Sequence, residues 1–167
     1  MSKKLVICCV SLFLLAGTAG GPFRVNCAAA QEVSVPEKLG VDLDGKIFNL
    51  KEHLGKENLY LVFWATWCGV CKDEIPNLVN VYRNVKGVNL VAVNPGVNDS
   101  LQRARKYKEK YQLPYTIVFD ETGQSAQAFG VSGVPTAVLI DKRGEVVYAG
   151  FPPAPDKVSE IFSKKPQ

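Results

Sequence analysis

The chain predicts an alternating α/β domain, and three features carry that reading. Apolar runs of strand length are separated by segments of helical periodicity, the last two runs are joined by a tight turn, and a Cys-x-x-Cys falls where one run gives way to a helix. Val41–Leu50 shows two short alternating runs around Asp44-Gly45, the pairing that tight hairpin turns favour. Leu59–Trp64 is continuously apolar, as befits a strand covered on both faces. It runs straight into Ala65-Thr66-Trp67-Cys68-Gly69-Val70-Cys71, after which Ile75, Leu78, Val79 and Tyr82 recur at helical spacing to about Arg83, with a kink expected at Pro76. Val88–Val93 is a second buried strand, closed by Asn94-Pro95-Gly96. Asp99 or Ser100 can cap a helix to about Tyr111 whose apolar seam is Leu101, Ala104, Tyr107 and Tyr111. Tyr115–Phe119 is a third strand, and Gln124–Phe129 a short helix ended by Gly130. Thr136–Ile140 and Glu145–Tyr148 form a hairpin through Asp141–Gly144, and a final helix covers Asp156–Ser163.

A chain of 167 residues is one domain, not two. Its 47% hydrophobic and 22% charged content excludes a disordered chain and suffices for a packed core. The net charge of +4 is misleading, because Lys3, Lys4 and Arg24 stand in an acid-free stretch over residues 1–30 and account for three of the four charges. The remainder is almost neutral, which argues against a nucleic-acid partner or an anionic-membrane footprint. Lys3-Lys4, the apolar run Leu5–Ala16 and the small residues Ala28-Ala29-Ala30 follow the order of a secretory signal. Residues 1–30 are therefore expected to be a signal peptide that carries the protein out of the cytoplasm, with 31–40 a polar leader and 41–167 the domain. An uncleaved membrane tether is the alternative, since Leu5–Gly21 lies at the lower edge of spanning length.

Setting aside Cys8, Cys9 and Cys27, which fall in that segment, leaves Cys68 and Cys71. A bond between cysteines so close in sequence closes a tiny loop and restrains the unfolded chain little, so it is there to be exchanged. Exchange needs a thiolate nucleophile and a nearby resolving thiol, and two spacer residues on a first helical turn supply both. Cys68, at the helix start, is expected to attack. Cys71, one turn in, is expected to be more buried and to resolve. Half of a zinc site is the competing reading, but zinc wants a second such pair or a histidine pair, and the sole histidine, His53, reads as a surface residue. No metal is expected, although a copper carrier using the two thiols and a histidine stays open. A peroxidase would need a Pro-rich, Thr-containing loop around its cysteine, which is absent.

Phe63-Trp64-Ala65-Thr66-Trp67-Cys68-Gly69-Val70-Cys71-Lys72 resembles the active-site segment of thioredoxin-fold proteins, and Gly133-Val134-Pro135-Thr136 resembles their cis-proline loop. The Trp64–Cys68 spelling, Glu74-Ile75-Pro76 and the N-terminal hairpin resemble the exported TlpA/ResA-like branch that includes the cytochrome c maturation reductases. The resemblance implies a thioredoxin fold: a central mixed β-sheet flanked by helices, with an N-terminal β-hairpin extension. It implies that Pro135 is cis beside the disulfide, that the Val134 backbone pairs with a client, and that Trp67 flanks Cys68. The buried Asp of thioredoxin itself is replaced by Val62, and Val70 stands where thioredoxin has Pro. Glu74 matches the branch's glutamate near the disulfide, which makes it the expected proton-transfer group. The implied activity is reduction of protein disulfides, such as that of an apocytochrome c, with a membrane thiol electron donor and no cofactor beyond the Cys68–Cys71 pair. A dithiol oxidase and a non-catalytic client- or copper-binding module are the alternatives. The basic stretch Arg103, Arg105, Lys106, Lys108 and Lys110 reads as a solvated helix face rather than a docking surface.

Overall fold

The computed structural model describes residues 35–164. The expected signal or tether over 1–30, with its three cysteines, lies outside the described residues.

The first hairpin forms around Asp44-Gly45 as the sequence predicts. Strands β1 (Lys38–Asp42) and β2 (Ile47–Asn49) pair antiparallel. Asp42 Oδ1 accepts from the N–H groups of Asp44 and Lys46, each at 2.9 Å, and Gly45 takes a positive φ of 85°. β1 starts three residues before the alternation suggests, because Gly40 sits at an irregular register that hides the buried Leu39 from a period-two reading.

β3 (Asn58–Phe63) lies between β4 (Val88–Asn94), parallel to it, and β6 (Thr136–Ile140), antiparallel. β5 (Thr116–Phe119) continues the parallel set beside β4, and β7 (Val146–Gly150) closes the far edge against β6. The sheet order is β2-β1-β5-β4-β3-β6-β7. Alternate residues of β3 therefore enter different cores. Tyr60 and Val62 join Leu78, Val81, Ala104 and Val158, while Leu59, Leu61 and Phe63 join Leu39, Leu50, Ala126 and Phe129. A strand sealed on both faces has no polar side, which is why its sequence shows none.

The helices divide accordingly. α1 (Gly69–Asp73), α2 (Ile75–Asn84), α3 (Leu101–Tyr111) and α5 (Pro155–Ser163) cover the first face; α4 (Gln124–Ala128) and the hairpin cover the second. The kink expected at Pro76 is a break at Glu74, with Pro76 in the first turn of α2. A proline inside a continuous helix would clash with the carbonyl of Lys72, whereas in a first turn its missing N–H would have no helical partner anyway. Among the described residues, no helix is long and apolar enough to cross a membrane.

Candidate active site

β3, β4 and β6 bring three loops to one end of the sheet. The loop after β3 carries Trp67 and Cys68; the residue before β6 is Pro135. Cys68 and Cys71 are joined by a disulfide of 2.02 Å. Cys68 is the N-cap of α1, and its Sγ accepts from the Cys71 N–H at 3.0 Å. Across the site the same Sγ lies 3.8 Å from the carbonyl oxygen of Val134. The Val134–Pro135 peptide is cis, as the resemblance implies. The two cysteines differ less in burial than the sequence suggests, being 7% and 5% exposed. Cys68 is covered by the Val134 loop, a long-range approach that the position of a residue on its own helix does not reveal.

Trp67 is 55% exposed and donates from its indole Nε1 to the Val97 carbonyl at 2.8 Å. It forms one side of an apolar groove of about 360 Å³ lined also by Val97, Ala126, Val131, Gly133 and Val134. Trp64, by contrast, is core, packed 4.9 Å from the Tyr107 ring. Glu74 occupies the junction between α1 and α2, half-buried, and its Oε2 accepts from Asn77 Nδ2 at 2.9 Å rather than bonding to either sulfur. The structure thus gathers Cys68, Cys71, Trp67, Val134 and Pro135, and sets Glu74 one helical turn beyond Cys71. Below them on β3, burial drives the Tyr60 phenol far above its ordinary pKa, the Glu74 carboxylate adding to the effect. Among the described residues, the buried Tyr60 hydroxyl has no hydrogen-bond partner.

The sequence marks Asp99 only as a possible helix cap. Ser100 is the cap, its side chain accepting from the Arg103 N–H at 3.2 Å. The Asp99 carboxylate reaches back to the active-site segment instead, accepting from Thr66 N–H at 2.7 Å and Thr66 Oγ1 at 2.9 Å. Nothing local in the sequence signals a bond across 33 residues. The basic face of α3 is partly tied down: Arg103 donates to the Asn98 carbonyl, Arg105 to that of Leu43 and Lys108 to that of Tyr115. Among the described residues there is no cluster of three or more His, Cys, Asp or Glu side chains fit to hold a metal ion.

The sequence pattern of the AhpC/TSA family matches residues 28–149. The chain belongs to the AhpC/TSA family. It is 34% identical to the thiol-disulfide oxidoreductase ResA of Geobacillus thermodenitrificans over 151 residues, spanning 86% of this chain and 85% of that protein. With ResA of Geobacillus kaustophilus the identity is 36% over 126 residues, 74% of this chain and 71% of the relative. The crystal structure of StoA from Bacillus subtilis superposes with a TM-score of 0.66 over 78% of this chain and 98% of that one; at 23% identity the likeness is one of fold. That fold is the thioredoxin fold. Within the AhpC/TSA family, this member groups with the thiol–disulfide oxidoreductases, and it carries a Cys-x-x-Cys pair, Cys68 and Cys71, joined as a disulfide.

Proposed function

We propose that this thiol–disulfide oxidoreductase works outside the cytoplasm as a reductase of protein disulfides, with Cys68 attacking and Cys71 resolving. The observation that carries the reading is the setting of the Cys68 sulfur. It receives the Cys71 N–H, a bond that favours a thiolate, and stands against the carbonyl of Val134, a residue that also lines the apolar groove.

In the reduced enzyme the Cys68 thiolate attacks one sulfur of a client disulfide, and the other client sulfur leaves as a thiolate and takes a proton. The Cys71 thiol then gives up its proton, with Glu74 as the group that helps it depart, and attacks Cys68. The second client thiol is released as the Cys68–Cys71 disulfide forms. Two electrons have passed from enzyme to client, so no group beyond the two sulfurs is needed for the balance. Trp67 and the Val134–Pro135 backbone form the client-facing surface. A membrane thiol donor would restore the dithiol, and an apocytochrome c is the client class suggested by the TlpA/ResA-like spelling of the motif. Export is supported by Lys3-Lys4 and the apolar run that follows.

Two measurements test this. Cys71→Ser is expected to accumulate mixed disulfides with client proteins and Cys68→Ser not to; the reverse pattern would exchange the two roles. Equilibration with a dithiol buffer is expected to give a potential near that of thioredoxin, about −270 mV, whereas one near about −120 mV would make the enzyme an oxidase.

A further inference from the structure

Trp67 and Val97, which face each other across one indole N–H bond, are 55% and 57% exposed. Apolar burial therefore does not hold this wall of the groove in place. The β4–α3 loop turns through left-handed backbone at Gly96 and Asn98 on either side of Val97, with φ of 73° and 52°. Besides that indole bond, one carboxylate ties the loop to the active-site segment. Asp99 Oδ2 accepts from Thr66 N–H at 2.7 Å and from Asn94 Nδ2 at 2.8 Å; Oδ1 accepts from Thr66 Oγ1 and from Ser100 N–H, each at 2.9 Å. Asn94 is wholly buried, and its amide orientation is fixed because its Oδ1 takes the Gly96 N–H at 3.0 Å.

We infer that Asp99 is a positioning residue for client engagement: its carboxylate clamps Thr66 to Asn94 and Ser100 and so holds the Trp67–Val97 wall of the groove. The inference rests on thiol–disulfide exchange at Cys68 and adds to it a determinant of which disulfides are engaged. The donor count makes a carboxylate specific here. Three of the four partners, Thr66 N–H, the Asn94 amide and Ser100 N–H, can only donate, and they are spread over both oxygens. An asparagine of identical shape would turn an NH₂ toward at least one of them, leaving two donors face to face. Shape alone therefore does not preserve the clamp. A large protein client leans on this wall, whereas a small aromatic disulfide needs little beyond the sulfur.

The test compares the full-length wild-type chain with Asp99→Asn and Thr66→Val, using insulin as the protein disulfide and 5,5′-dithiobis(2-nitrobenzoate) as the small one. Asp99→Asn is expected to lower kcat/KM for insulin about tenfold, the scale of one lost charge-assisted hydrogen bond, chiefly through KM and well beyond its effect on the small disulfide. Thr66→Val, which deletes one of the four bonds, is expected to fall between. Acrylamide quenching of Trp67, read against the buried Trp64 as the unquenched background, is expected to rise in both variants. Equal losses on the two substrates, or an insulin KM within about twofold of wild type in folded Asp99→Asn, would overturn the inference. So would unchanged quenching, an arm that needs no turnover. A wild-type enzyme inert toward both disulfides sinks the exchange reading instead, and the quenching arm still decides the clamp.

Discussion

The Cys68 sulfur stands between a donor at 3.0 Å and a carbonyl at 3.8 Å, and the two pull its acidity in opposite directions. The donor is nearer and points from the same helix turn, so it stays in place when the disulfide opens. A carboxylate shows the same balance more clearly. Burial alone would push the Asp141 carboxyl up, but the Arg143 side chain, with Nε at 2.7 Å, and the N–H groups of Glu145 and Arg143 outweigh it and leave it below its ordinary value. Because the folded value is the lower one, the stabilisation is complete above the unfolded carboxyl range and fades as pH falls through the folded value. Asp141→Asn is expected to cost about 1 kcal/mol at neutral pH and progressively less below about pH 4. Urea unfolding at pH 7 and pH 3 would show it, and a penalty of equal size at both would remove the charge from the explanation. At this scale the sequence discloses Cys68, Cys71, Trp67, Val134 and Pro135, because each sits in a contiguous motif. It conceals Asp99, whose partners are chosen by the approach of two loops.

Elements declare themselves where their ends are written in local chemistry. Ser100 is legible as a cap and the Asp44-Gly45 turn as a hairpin, since each satisfies a specific backbone group, whereas the last helix starts one residue before the sequence suggests, at Pro155. The division between α1 and α2 is less legible, because a proline five residues into a periodic run is compatible with either a bend or a fresh start. The end of α3 shows the opposite case, a terminus made by the wrong residue. Gln112 adopts the left-handed conformation there, φ 48°, so that its N–H and that of Leu113 reach the carbonyls of the last turn. An L-residue with a Cβ is disfavoured in that geometry and glycine is not. Gln112→Gly is expected to stabilise the protein by about 0.5–1 kcal/mol, visible as a rise in Tm. A fall would mean that the Gln112 side chain contributes more than its backbone costs.

Across the whole molecule, the sheet is extended at the β5 edge by a hairpin whose fit depends on one missing side chain. Gly40, at φ 136°, passes so close to β5 that a Cβ would lie 2.3 Å from the Phe119 carbonyl oxygen. Gly40→Ala is therefore expected to loosen β1 from β5 at a cost of roughly 2 kcal/mol or more, and to expose the Leu39 and Leu50 contacts beneath. Hydrogen exchange that stayed slow in β1 would contradict this. The α/β alternation was readable from periodicity, whereas the order in which the strands stand side by side was not, since it is settled by pairings such as Leu61 with both Val91 and Val138. That lateral order also has a history in time. The dithiol is complete at residue 71, but the loop that covers it arrives some sixty residues later, together with the strand that seats β3 on its other side. Until those residues have been added, the Cys68 sulfur lacks the Val134 carbonyl that flanks it in the finished fold.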